Sequence, residues 1–254
     1  MPTFSPFGTL LRIAVKVFAP KKVHDTGVRA FLASLLALAA VLSLECAAAP
    51  IAVQVGDTRV VLDAPPGFAD TGFTGSPRLA ELAESITSAS DRILLFAISD
   101  ADLRRFMQGD TPEFRRYMTA VTPRGLEHER VGAEAFRKYA ANALSDFGTP
   151  PPPGDIAQYL DAQPQGKLSL IAELRRDAEV VTVLQGTRLP GPERGSFLTR
   201  DKPRYALTTQ TLMLVRGKAL NFSVYSLYDS AEDAQWIRTI TLRWIDDVRR
   251  LNAR

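Results

Sequence analysis

Hydrophobic and polar positions change period several times along the 254-residue chain, and each change predicts an element. Residues 51–62 (IAVQVGDTRVVL) predict two short strands about Gly56-Asp57, a hairpin signal. Asp63-Ala64-Pro65-Pro66-Gly67-Phe68 then breaks regular structure. Ser76 is a candidate N-cap, Pro77 suits a first helical position, and Leu79, Leu82, Ala83 and Ile86 recur at helical spacing. Together they predict a helix over 77–89. Residues 92–98 form an apolar run of strand length, and 113–122 predict another strand after a loop or short helix at 101–108. A helix over 132–146 places Ala135, Phe136, Tyr139, Ala143, Leu144 and Phe147 on one side, and Gly148 ends it.

Thr149-Pro150-Pro151-Pro152-Pro153-Gly154 is the sharpest local bias in the chain. Such a run stiffens into polyproline II, serving either as a connector or surface loop or as an adaptor-binding motif. The connector reading is preferred, because one unrepeated run is a weak motif. Residues 168–174 and 179–185 flank Arg175-Arg176-Asp177-Ala178 and predict a hairpin, with a Gly- and Pro-rich loop at 187–203 beyond. Tyr205–Val215 and Ala219–Tyr228 flank Arg216-Gly217-Lys218 as a second hairpin. In its second strand Leu220, Phe222 and Val224 alternate with Asn221, Ser223 and Tyr225, as one buried face requires. Ser230 and Asp233 open the last helix as a capping pair. Ile237, Ile240, Trp244, Val248 and Leu251 share its apolar face, with Arg249, Arg250 and Arg254 at the exposed end. Trp244 is expected in the core, and Arg249 is expected to matter little to stability.

Hairpins outnumber strand–helix–strand crossovers in this order. The expected fold is therefore α+β: an antiparallel sheet of about six strands with packed helices, in a single domain over 49–254 with a Pro-rich linker near 149–154.

Charge changes the picture at the N-terminus. Residues 1–29 carry Arg12, Lys16, Lys21, Lys22 and Arg29 against one acid, Asp25, and an uncharged run from Ala30 to Leu44 follows. Glu45-Cys46-Ala47-Ala48-Ala49-Pro50 comes next, completing a secretory-signal pattern over 1–48 with cleavage expected after Ala48. The 15-residue run falls short of the ~20 residues a spanning helix needs. An anchor would have to extend it past Glu45 to Val53. Cys46 lacks the small residues before it that a lipidation signal wants. Residues 1–48 hold five of the 31 basic and two of the 28 acidic residues, leaving 26 of each in the remainder. The mature chain is thus balanced and gives no electrostatic reason to expect nucleic acid.

Common catalytic signatures are missing. Gly166-Lys167 and Gly217-Lys218 lack the glycine spacing and following hydroxyl of a phosphate loop. Beyond the leader there is one histidine and no cysteine, so no metal or cofactor is expected. His128, between Glu127 and Glu129, could act as a general base, but adjacent residues do not face one another, and a solvated turn explains it as well. Asp100, Asp102 and Asp110 could offer oxygen ligands without the spacing of a calcium loop, and solvated loop acids are the simpler reading. Arg175-Arg176 could meet an anionic surface, or simply be exposed by a turn. Of Trp236 and Trp244, eight residues apart on one helix, one could line a pocket. Asn221-Phe222-Ser223 spells a glycosylation acceptor inside a predicted strand. Catalytic residues are left unassigned.

The Ala64-Pro65-Pro66-Gly67-Phe68 segment after an opening strand, the late antiparallel hairpins and a closing helix containing Asp233-Ala234-Gln235-Trp236 resemble the Mog1/PsbP-like fold group. The resemblance covers most of residues 50–254. It implies a binding or accessory role and carries no shared catalytic set. The leading expectation is an exported, periplasmic or secreted, non-catalytic domain whose partner is another envelope protein. The alternatives are a membrane-tethered interaction module retaining residues 30–53, and an envelope enzyme using a carboxylate, Ser or His128.

Overall fold

The computed structural model describes residues 50–145, 148–152, 154–190 and 204–253. The expected leader with Cys46, Phe147, Pro153 and most of the 187–203 loop lie outside the described residues. Fourteen elements follow in chain order: β1 (Ile51–Val55), β2 (Thr58–Leu62), β3 (Phe68–Asp70), α1 (Pro77–Ile86), β4 (Asp91–Ser99), α2 (Asp100–Met107), β5 (Arg116–Pro123), α3 (Ala133–Leu144), α4 (Ile156–Asp161), β6 (Ser169–Arg176), β7 (Val180–Arg188), β8 (Tyr205–Val215), β9 (Lys218–Tyr228) and α5 (Ala231–Asn252). Short 3-10 turns lie at Gly72–Thr74 and Arg124–Leu126.

The class is α+β. One sheet has seven strands in the order β3-β4-β5-β9-β8-β7-β6, every neighbouring pair antiparallel, and β1-β2 form a separate two-stranded sheet. The large sheet therefore exceeds the expected six strands by one. The addition is β3, three residues pairing with the end of β4 directly after the Pro65-Pro66-Gly67 break. It is too short to show a period. The same holds for α4, six residues just after the expected linker, whose N-cap Asp155 accepts the Gln158 N–H. Helix α1 stops at Ile86, three residues early. Thr87 adopts extended backbone, and its hydroxyl donates to the Ala83 carbonyl at 2.6 Å.

Tight turns set the registers. Arg216 and Gly217 both have positive φ, 51° and 80°, as a two-residue hairpin turn of the favoured hand requires. At Gly56 a Cβ would lie 2.4 Å from the Glu127 carbonyl, so the β1–β2 turn needs glycine for close approach as well as for its φ of 56°.

The two sheet faces are covered differently. Helix α5 lies over β8, β9 and β6, and it also meets β2. Leu220, Phe222 and Val224 are buried in the same cluster as Ile237, Trp244 and Val248. Trp244 is 1% exposed, meets the Phe222 ring edge-on at 5.1 Å, and donates Nε1–H to the Asp63 carbonyl at 2.7 Å. Two buried hydroxyls on this face are paired: those of Thr209 and Thr241 lie 2.8 Å apart, and Thr241 also donates to the Ile237 carbonyl. The expected Ser230–Asp233 capping box is formed.

The opposite face carries two smaller covers. Leu79 and Ala83 of α1 pack on Phe96 and Ile98, with Leu103 and Phe106 of α2 beside them. At the other end Phe136 and Ala140 of α3 pack on Val181 and Leu212. Between these covers Tyr117, Thr119, Asn221, Ser223, Tyr225 and Thr208 line a shallow groove with the C-terminal end of α1.

Candidate functional site

A cleft of about 740 Å³ lies against β6, an edge strand of the seven-stranded sheet. Pro150, Pro151 and Pro152 line it together with Ile156, Gln158 and Tyr159 of α4, Ile171, Ala172 and Glu173 of β6, and Arg238 of α5. Side chains of a regular strand alternate between faces. Three consecutive residues of β6 line one cleft, so it reaches round the strand's edge, helped by a register shift between Leu170 and Ala172. Gly186 lets α4 close on β6 and β7, since a Cβ there would sit 2.8 Å from Ile171 Cδ1 and 2.9 Å from Leu160 Cδ1.

β6 pairs only with β7, and among the described residues its backbone makes no hydrogen bond outside that ladder. An edge strand keeps one row of N–H and C=O groups free. The prolines across the cleft have no N–H to offer those carbonyls. Both acids of the lining are engaged: Asp155 caps α4, and Glu173 takes two hydrogen bonds from Arg176, at 2.9 and 2.6 Å. The latter pairing, ahead of a smaller opposing effect of burial, holds the Glu173 carboxyl below its ordinary range. Arg238 differs. Its Nε is buried and has no hydrogen-bond partner.

His128 is exposed in a bend after the Arg124–Leu126 turn. The acids beside it serve other ends. Glu127 is paired with Arg92, while the backbone carbonyls of Glu127 and Glu129 accept from Lys218 Nζ at 3.2 and 3.1 Å. Lys218 is 1% exposed and also meets Asp57 at 2.9 Å, so it fastens this loop to the β1–β2 turn. Asp102 is buried at the start of α2, where it exchanges hydrogen bonds with Ser99 and accepts the Glu113 N–H at 2.8 Å. It shapes the loop after α2. Among the described residues, Asp100, Asp102 and Asp110 do not form part of any group of three His, Cys, Asp or Glu placed to hold a metal ion.

Arg175 and Arg176 are not displayed by a turn. Strand β6 runs through both, and they pair with Asp246 at 2.6 Å and with Glu173. The turn lies one step later, where Asp177 accepts the N–H groups of Glu179 and Val180. Arg249, expected at the exposed end of the helix, reaches the same carboxylate and ties that end to the turn. Trp236 is half-buried, with the Arg116 guanidinium 3.9 Å above its ring and Phe68 at 6.0 Å. It lines neither cleft described above. Asn221 sits in a central strand with Oδ1 buried and unpartnered, facing the shallow groove. There Tyr117 and Tyr225 stack at 4.6 Å, and burial, with Tyr225 adding, pushes the Tyr117 phenol up to about 12.

The chain is similar to the Saccharomyces cerevisiae Ran-binding protein Mog1p, at 12% identity over 80% of this chain and 94% of that one, with a TM-score of 0.36. A point mutant of Mog1 matches at 11% identity, with the same coverage and TM-score. No protein-family model matches the chain, and no curated protein matches it. The likeness is one of fold alone.

The proline run was visible in the sequence, but its place as a cleft wall was not. Arg238 carries no motif: it is one of several arginines on α5, and only the fold separates it from those with acid partners.

Proposed function

We propose that this chain is an exported, non-catalytic binding domain that takes up an extended segment of another envelope protein in the proline-walled cleft. The observation that carries the reading is a sheet edge, β6, left without a backbone partner among the described residues, beside a cleft wall of prolines that have no N–H to give its carbonyls. Addition of a strand to such an edge gives affinity through main-chain hydrogen bonds, and side pockets give selectivity. Ile156, Tyr159 and Ile171 supply the apolar contacts. Both lining carboxylates are already committed to a helix cap and an ion pair, which suits recognition rather than acid–base work.

Export rests on the basic start, short apolar core and alanine run of residues 1–48. No helix among the described residues is long and apolar enough to cross a membrane. Intact mass of the protein recovered from its producing cell tests this part: a chain beginning at Ala49 is expected. A chain retaining residues 30–44 contradicts cleavage and favours the tethered module.

The binding part is tested with an array of random nine-residue peptides. Ala172→Trp builds a bulky ring on the cleft wall of β6. Peptides retained by the wild-type protein should bind this variant at least tenfold more weakly, with thermal unfolding unchanged. Equal retention would remove the cleft as the binding site.

A further inference from the structure

The cleft contains one charge that the protein leaves unanswered. Helix α5 carries Arg238, Arg243, Arg249 and Arg250, and the last three are paired with Asp247, Asp177 and Asp247. Arg238 has no ion-pair partner among the described residues, its Nε is buried without a hydrogen bond, and its side chain lines the apolar cleft. Its outer Nη1 and Nη2 groups also make no hydrogen bond among the described residues, so their N–H groups are the ones that can meet an acceptor entering the cleft.

We infer that Arg238 recognises a carboxylate of the docked peptide. The inference rests on the proposed peptide-binding role and adds the chemistry of the occupant. A guanidinium pairs a planar carboxylate through two parallel N–H bonds. Asp155 and Glu173 share the lining, and their negative charge opposes a phosphate dianion more strongly than a single carboxylate. The ligand is therefore an extended, largely apolar polypeptide with one carboxylate positioned opposite α5. An Asp or Glu side chain supplies this chemistry, and so does a free C-terminus.

The test uses peptides retained by the purified wild-type protein from the nine-residue array, each remade with its acid changed to the amide (Glu→Gln or Asp→Asn) and, separately, with an amidated C-terminus. One of these two changes should weaken binding to the wild-type protein at least tenfold, and which one does so identifies the source of the carboxylate. The same change should alter binding to Arg238→Gln less than twofold. Arg238→Lys should recover only part of the loss, since an ammonium cannot form the two-point contact. Peptides that bind but tolerate both changes overturn the role of Arg238 and leave the peptide-binding reading standing. An array with no retained peptide overturns both.

Discussion

Arg249, near the end of the closing helix, donates two hydrogen bonds, of 2.7 and 2.6 Å, to the carboxylate of Asp177 in the β6–β7 turn. The contact ties the helix to the edge hairpin, and that same carboxylate already accepts two backbone N–H groups of its own turn. Both side chains are about one-third exposed, so screening by water limits the gain. Arg249→Ala should cost about 0.5–1 kcal/mol in denaturant melts, the upper range for a two-point surface pair. A loss below about 0.2 kcal/mol would show that the pair contributes nothing in solution.

The same pair sets a pH dependence. Burial acts to raise the Asp177 carboxyl, but the Arg249 contact and the two backbone N–H bonds outweigh it and hold the group below 3.8. With the folded value below the unfolded one, the unfolded chain binds more protons between them, and stability rises with pH there. The Asp177 contribution is complete above about pH 4 and is lost as pH falls through the folded value. The stability gap between wild type and Asp177→Asn should therefore be constant from pH 5 to 7 and shrink below pH 4. A gap that widens on acidification would reverse the assigned sign.

Trp244 carries both packing and a polar contact, and the two can be separated. Trp244→Ala should cost ~3–5 kcal/mol, as truncation of a buried aromatic does. Trp244→Phe keeps a ring against Phe222 but leaves the Asp63 carbonyl without its indole donor, at a cost of ~1–3 kcal/mol for the unpaired group, before any change in packing. Urea unfolding of both variants gives the comparison. No loss in Trp244→Phe would mean that the hydrogen bond adds nothing.

Lys218 holds the segment around His128 through the carbonyls on either side of it. Lys218→Met should cost ~1–3 kcal/mol by leaving the Glu127 and Glu129 carbonyls unpaired, and should speed amide exchange across 124–131. His128→Ala should leave stability and peptide retention at wild-type values. General acid–base catalysis is typically worth 10²–10⁴-fold in rate. Loss of cellular function in a stably folded His128→Ala protein would therefore promote the enzyme reading.

What the sequence made legible follows from length of pattern. The β8–β9 hairpin is written twice, in the alternation of Leu220, Phe222 and Val224 and in the Arg216-Gly217 turn, and both survive in the structure. The 22-residue α5 shows its face through Ile237, Trp244 and Val248, and its start through Ser230 and Asp233. Elements of three and six residues, β3 and α4, are shorter than any window in which a period can be counted. The cleft depends on them: α4 forms one wall, and Pro150–Pro152 become another only because Gly186 lets α4 pack tightly on the sheet. Arg238 was hidden for a different reason. Whether a charge is paired depends on residues distant in the chain, and spacing carries no record of them.

Amide hydrogen exchange on the protein with a retained peptide, followed residue by residue, tests the central claim most directly. An added strand on β6 should slow exchange within Ile171–Glu173, whose outward N–H groups are otherwise open, and should leave Tyr117, Ser223 and Tyr225 on the opposite face unchanged. Protection confined to that opposite groove, with β6 exchanging as in the free protein, would contradict the account.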